Sequence, residues 1–166
     1  MAQHIPYAVN YANRQVDVEL LQSVARPVDL QRVDISMVTQ PSKIVAGIQK
    51  CVQRYTNALL TVLGSVAFDP AYGTDLLGDI LGGRVYNEGT LHNSFALANT
   101  FALRQLQDDD GRTEIYGAVP DDEAIQDANL LDLSVDQGAG ILYLRVQIVS
   151  RAGDNLEFVV PVTASR

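Results

Sequence analysis

The chain has 166 residues, 47% of them hydrophobic and 19% charged, with a net charge of −8. This length implies one domain that buries roughly 70% of its unfolded surface. The composition excludes a disordered chain, and no run approaches the ~20 apolar residues that a membrane helix needs. Twenty acidic residues against twelve basic ones argue against nucleic-acid binding, which rests on Lys and Arg contacts to phosphate. The opening from Met1 to Tyr7 has neither the basic end nor the apolar run of a signal peptide. The lone Cys51 excludes an intramolecular disulfide framework and suits a reducing cytoplasm.

In chain order, residues 1–14 have no period and read as an arm. Val16, Val18 and Leu20 alternate with Asp17 and Glu19, and after Ala25-Arg26-Pro27 a second alternation places Val33, Ile35 and Met37 against Asp34 and Ser36. The two-residue period predicts two strands paired as a hairpin with a long connection. Gln40-Pro41-Ser42 marks a helix start with Ser42 in the capping turn. Ile44, Ile48, Cys51, Val52, Tyr55, Leu59 and Leu63 then recur at spacings of three and four. That predicts an amphipathic helix of about twenty residues, with Lys43, Gln49, Lys50, Gln53 and Arg54 on its polar face, stopped at Gly64. Cys51 falls on the apolar side and is expected in the core.

A Phe68-Asp69-Pro70-Ala71-Tyr72-Gly73 turn precedes a short helix from Thr74 to Leu81, capped by Thr74 and ended by Gly82-Gly83. A third helix is predicted from Leu91 to Gln107 on a stripe of Leu91, Phe95, Ala98, Ala102 and Leu106, widened by Leu97, Phe101 and Leu103. Asp108-Asp109-Asp110-Gly111 should end it, because carboxylates oppose the dipole at a helix C-terminus unless a partner neutralises them. Ten carboxylates lie between Asp108 and Asp136 against one Arg112. They read as a solvated connector, or as an electrostatic face for a basic neighbour.

The C-terminal third predicts an antiparallel three-strand meander with one buried face. Leu131, Leu133 and Val135 alternate with Asp132, Ser134 and Asp136. Gly138-Ala139-Gly140 then turns the chain into Ile141 to Val149, with Leu142, Leu144, Val146 and Ile148 on one side and Tyr143, Arg145 and Gln147 on the other. After Ala152 to Asn155, the last strand turns Leu156, Phe158, Val160 and Val162 inward. Pro161 has no N–H for a ladder, which marks this strand as an edge. The fold class is therefore α+β: helices packed on a C-terminal three-strand meander, with an N-terminal β-hairpin. The division expected is an arm and hairpin over 1–40 and an α+β domain over 41–166.

Chemistry is sparse. Gly73-Thr74-Asp75-Leu76-Leu77-Gly78 has the outer spacing of a phosphate loop, but Asp79 stands where lysine is required. His4 and His92 are the only histidines, and Leu106 occupies the first ligand position of a calcium-loop pattern ahead of Gly111. Glu123 and Asp132 have the nine-residue spacing of the acids in phage-type lysozymes, but Gly138 stands where threonine belongs, and Trp is absent. These residues name no nucleophile, no metal set and no cofactor, and the expectation is a protein that is not an enzyme.

Thr61, Gly64, Pro70, Tyr72, Gly73 and Leu76, set between a helix and a terminal strand meander, resemble the sheath-initiator baseplate wedge family. This family, also labelled lysozyme-like, belongs to contractile-tailed bacteriophages and related injection machines. The likeness covers roughly 47–162. Val62-Leu63 and Ser65-Val66 replace the proline and charged residues usual around the glycine. Asp127-Ala128-Asn129-Leu130 stands near the place of a Glu-Pro-Arg signature, so contacts of that signature are not carried over. The resemblance implies a structural protein of the virion, assembled in the host cytoplasm. It would be present in six copies around the tail tube, touching other baseplate wedge proteins and the tail sheath protein. The first sheath ring would attach by strand addition to the C-terminal strands. Leu156, Phe158, Val160, Val162, Tyr143 and Arg145 would form the docking strands, and Pro70, Tyr72 and Gly73 the structural turn. Neither nucleic acid nor membrane is implied as a partner. The alternatives are a peptidoglycan-hydrolysing tail protein and another tail or neck adaptor.

Overall fold

The computed structural model describes residues 17–18, 22–25, 31–34, 44–85, 87–113, 118–136 and 141–163. The elements are β1 (Asp17–Val18), β2 (Gln22–Ala25), β3 (Gln31–Asp34), β4 (Ile44–Val45), α1 (Ile48–Leu60), α2 (Leu76–Leu81), α3 (Glu88–Thr113), β5 (Ile125–Asp136), β6 (Ile141–Ser150) and β7 (Asn155–Thr163). The class is α+β, with the helices covering one face of the β5-β6-β7 antiparallel meander. The larger sheet has the order β2-β3-β7-β6-β5.

β6 follows the expected alternation along its whole length: Leu142, Leu144, Val146, Ile148 and Ser150 are buried and the residues between them are half-buried. Phe158, Val160 and Val162 of β7 pair with Val146, Leu144 and Leu142 and share their buried face. Against this face α1 lays Ile48, Cys51, Val52, Tyr55 and Leu59, and α3 lays Leu91, Phe95, Ala98, Ala102 and Leu106. Each large side chain in this layer contributes about 1.5–3 kcal/mol on burial. The Tyr55 and Phe158 rings meet edge to face at 6.4 Å. The Tyr55 hydroxyl donates to Asn99 Oδ1 at 2.7 Å, and Asn99 Nδ2 donates to the Ala128 carbonyl at 2.8 Å, joining α1, α3 and β5.

Several expectations are corrected. α1 has 13 residues rather than about twenty. Gly47, with φ +63°, turns the chain just before it, and Ile44–Val45 is extended and pairs with Asp17–Val18. Ser42 lies outside the described residues. Gln53, expected on the polar face, is buried and donates to Asp17 Oδ2 at 3.0 Å. The helix ends at Leu60, where Thr61 becomes extended, so Gly64 belongs to the following loop and is not the stop. In the N-terminal part, the described pairing joins Gln22–Ala25 to Gln31–Asp34, which is not the register expected from Val18 and Val33. Ile35, Met37, the arm over 1–14 and the Gly138-Ala139-Gly140 turn lie outside the described residues.

α3 runs through the three aspartates to Thr113. The reason is a partner for Asp110, which is buried and accepts from Arg54 Nη2 at 2.6 Å. Leu97 and Phe101 do not widen the buried stripe: they are 65% and 57% exposed. At about 100° per residue Phe101 lies about 100° and Leu97 about 140° from the centre of the buried stripe. Leu131 is likewise exposed. β5 shifts register between Ile125 and Asp127 and again between Leu130 and Asp132, so Leu131 is the extra residue of a bulge. The inward set becomes Ile125, Ala128, Leu130 and Leu133.

The last strand is not the outer member of its sheet. β7 has β6 on one side and meets β3 on the other, in parallel, at Arg32 and Val159. Among the described residues that pairing does not reach Pro161, whose nitrogen has no proton to donate.

Candidate functional site

The expected docking residues divide between two faces. Phe158, Val160 and Val162 are core side chains, and Leu156 is half-buried against them. Tyr143 and Arg145 lie on the opposite face, across from Pro161 and Val159. Arg145 donates to Glu157 Oε2 at 2.6 Å on that face. The structure thus brings Tyr143 and Arg145 together but separates them from the four apolar residues. A strand added beside β7 would meet main-chain groups and this outer face.

β5 forms the far side of the sheet and is blunted. Asp127 Oδ1 accepts the Ala128 N–H and Asp132 Oδ1 accepts the Leu133 N–H, each at 2.8 Å. Asn129 Nδ2 donates to Asp127 Oδ2 at 3.2 Å. Both amides sit just beyond a bulge, and local carboxylates occupy what a new strand would need.

The structural turn belongs to a closed loop over 62–73. Its ends are joined by backbone bonds, Thr74 N–H to the Thr61 carbonyl at 2.8 Å and Leu63 N–H to the Thr74 carbonyl at 3.0 Å. A compact surface loop with adjoining ends is an Ω-type loop. Gly73 makes the closure possible: its φ is +102°, and a Cβ there would sit 2.4 Å from the Thr61 carbonyl oxygen. The Thr74 hydroxyl donates to the Leu59 carbonyl at 2.6 Å and accepts the Leu76 N–H at 3.3 Å, tying the end of α1 to the start of α2. Gln105 of α3 clasps the base, accepting from Gly73 N–H at 3.1 Å and donating to the Ala71 and Gly73 carbonyls at 2.9 and 3.0 Å. Tyr72 is half-buried against the core and Pro70 is exposed. Burial, followed by the Asp109 charge, pushes the Tyr72 phenol above its ordinary range. Within the loop, successive turns donate Ser65 N–H to Val62, Asp69 N–H to Val66 and Tyr72 N–H to Asp69. At its tip Phe68 is 94% exposed.

Part of the acidic segment is internal. Glu123 is buried, with Lys50 Nζ at 2.9 Å from Oε2 and Gly47 N–H donating to Oε1 at 3.3 Å. Arg54 bridges inward, reaching Asp110 and, at 3.4 Å, the Glu123 carbonyl. Among the described residues Asp110 Oδ2 has no hydrogen-bond partner, and Arg151 Nη2 lies 3.9 Å from it. The segment therefore supplies counter-charges to α1 and to the β6–β7 turn, a role that composition alone does not distinguish from a solvated connector. Burial pushes the neighbouring Cys51 thiol up to about 12, against the pull of Arg54. A thiol so placed is inert.

Glu123 and Asp132 do not form a hydrolytic pair. Most of the nine residues between them are extended along β5, and at about 3.3 Å per residue the two lie roughly 20 Å apart. Carboxylates that flank a glycosidic bond stand about 5–9.5 Å apart. Among the described residues, no group of three or more His, Cys, Asp or Glu could hold a metal ion. No helix among them is long and apolar enough to cross a membrane.

Gln105 and Arg54 acquire their roles from tertiary contacts. Only the exposure of Leu97 and Phe101 had a signal in the sequence, their angular offset from the buried stripe. No protein-family model matches the chain, and no curated protein matches its sequence.

Proposed function

We propose that this chain is a structural component of a contractile-tail baseplate, surrounding the tail tube and templating the first sheath ring by strand addition at β7. The observation that carries this reading is the order α1, closed loop, α2, α3 and terminal meander. Within it, Thr61, Gly73 and Leu76 of the resemblance do the closing and seating. The state of the two flanks supports the choice of strand. β5 is bulged and its outward amides at Ala128 and Leu133 are taken, whereas on β7 the described residues show neither bulge nor aspartate, and Val159 meets Arg32 of β3. Strand addition uses main-chain donors and acceptors, so the buried Phe158 face stays in the core while a partner strand lies alongside. The strand β3 of the N-terminal hairpin lies on this flank, so a docking strand takes its place beside β7.

Negative-stain microscopy of tails assembled with and without the protein tests this. Baseplates and tubes lacking sheath in its absence are expected, and a Tyr143→Ala/Arg145→Ala protein should restore fewer sheathed tails than the parent. Normal sheathed particles without the protein would overturn the reading.

A further inference from the structure

Six of the seven exposed large apolar side chains among the described residues belong to the helical layer, and only Leu131 belongs to the meander. They have a common foundation. Ser94 of α3 donates to Asp79 of α2 at 2.6 Å, and Gln105 holds the base of the 62–73 loop. At about 100° per residue, Ser94, Leu97, Phe101 and Gln105 occupy one sector of α3 about 80° wide. The exposed Leu97 and Phe101 thus lie between the two points where α2 and the loop are fastened, and Phe68 stands on the loop itself. The loop is held by its closed ends, its internal turns and the Gln105 clasp, so its aromatic tip is presented on a pre-organised support.

The surroundings of this shoulder are acidic. Asp69 in the loop, Asp75 before α2 and Asp108 in the same α3 sector are exposed. Arg84 is spent on Asp79 at 2.8 Å, and among the described side chains of α3 the exposed Arg104 is the remaining cation. A second copy of the chain would bring these carboxylates, and a net charge of −8, against their like. An anionic lipid surface would be repelled in the same way. The backbone here is already bonded within the helix and the loop turns, so an occupant engages side chains and not a strand edge.

We infer that the loop tip at Phe68 and the Leu97–Phe101 ridge form a docking surface for an amphipathic helix of another protein, apolar on the docked face and flanked by Lys and Arg. The i,i+4 spacing of Leu97 and Phe101 matches the ridge spacing a helix presents, and exposed aromatic anchors on rigid supports are where binding energy concentrates. This surface is separate from the β7 flank, so it stands whether or not that strand docks a sheath.

The test uses two 20-residue helical peptides with the same Leu stripe, one flanked by Lys and Arg and one by Glu, titrated into the full chain by fluorescence anisotropy. The basic peptide should bind, with amide NMR shifts confined to 62–75 and 94–108, and the acidic peptide should not. Phe68→Ser/Phe101→Ser changes only exposed positions, and with an unchanged far-UV spectrum it should weaken binding at least tenfold. Absence of binding by the basic peptide to millimolar concentration would overturn the inference, as would equal binding of both peptides or equal binding by the variant. Sedimentation velocity and flotation with phosphatidylcholine vesicles complete the test. Self-association, or vesicle binding, that the double variant abolishes would overturn it in favour of a second copy or a membrane.

Discussion

Along β5, two bulges disturb the ladder, and Asp127 and Asp132 hold the amides that follow them. Along β7, among the described residues, neither bulge nor aspartate intervenes; β3 is its parallel neighbour, with Arg32 opposite Val159, and Pro161 leaves a gap in the donors. Bulges and charged side chains are the usual means of closing a sheet to further strands. The contrast teaches that the two sides of the meander are closed differently: β5 by bulges and local carboxylates, β7 by a parallel neighbour strand. The two strands also differ in how they are held. β7 is fixed by large side chains in the core, and β5 by a smaller inward set and by the ion pairs that position the segment before it.

The first way to break this contrast is to remove the anchor of β7. Phe158 is buried, touches Tyr55 and pairs with Val146. Phe158→Ala should cost about 3–5 kcal/mol in urea unfolding, through lost transfer energy and the cavity left behind. A cost below about 1 kcal/mol would mean that β7 is not held through its inner face.

A somewhat smaller effect probes the entry to β5. Arg54→Ala leaves Asp110 buried with, among the described residues, the more distant Arg151, which should cost about 3 kcal/mol, the scale for breaking a buried pair. Because Arg54 also reaches the Glu123 carbonyl, hydrogen exchange should quicken at 123–130 before it quickens in β7. Arg54→Met/Asp110→Leu removes both charges and should recover most of the loss. Equal loss of protection in both strands would show that the network does not distinguish them.

How much of this was legible in the sequence follows from the range of the forces involved. The β6 alternation and the α3 stripe at Leu91, Phe95, Ala98, Ala102 and Leu106 are local periodicities, and the structure keeps them. The reading failed where a residue distant in sequence decides the outcome. Arg54 lets α3 continue through Asp110, and pairing with Asp17–Val18 holds Ile44–Val45 extended outside α1. The bulge at Leu131 shifts the phase of β5 between Leu130 and Asp132, so period two assigned the wrong face to Leu131 while Leu133 keeps the expected one. Of the candidate site, Gly73 was legible as a required glycine. That Phe158, Val160 and Val162 turn inward was legible in the alternation and the structure keeps it; that β3 lies beside β7 was not, because it depends on pairing with a segment distant in sequence.

The smallest effect bears most directly on the contrast between the flanks. Asp127→Ala/Asp132→Ala deletes two side-chain bonds to β5 amides, each worth about 0.5–1.5 kcal/mol net. The variant should therefore lose about 1–2 kcal/mol in total, since the exposed N–H groups can turn to water. Its larger consequence is at the edge, where two donors and less negative charge face solvent. Sedimentation velocity at rising concentration should show association of the variant and not of the parent. Leu131→Ala serves as the control, because it changes an exposed side chain in the same bulge and touches no edge bond; surface changes of this kind stay within about 0.5 kcal/mol. If the aspartate variant remains as dispersed as the Leu131 control, the bulges alone close β5, and the carboxylates are only local turn-makers.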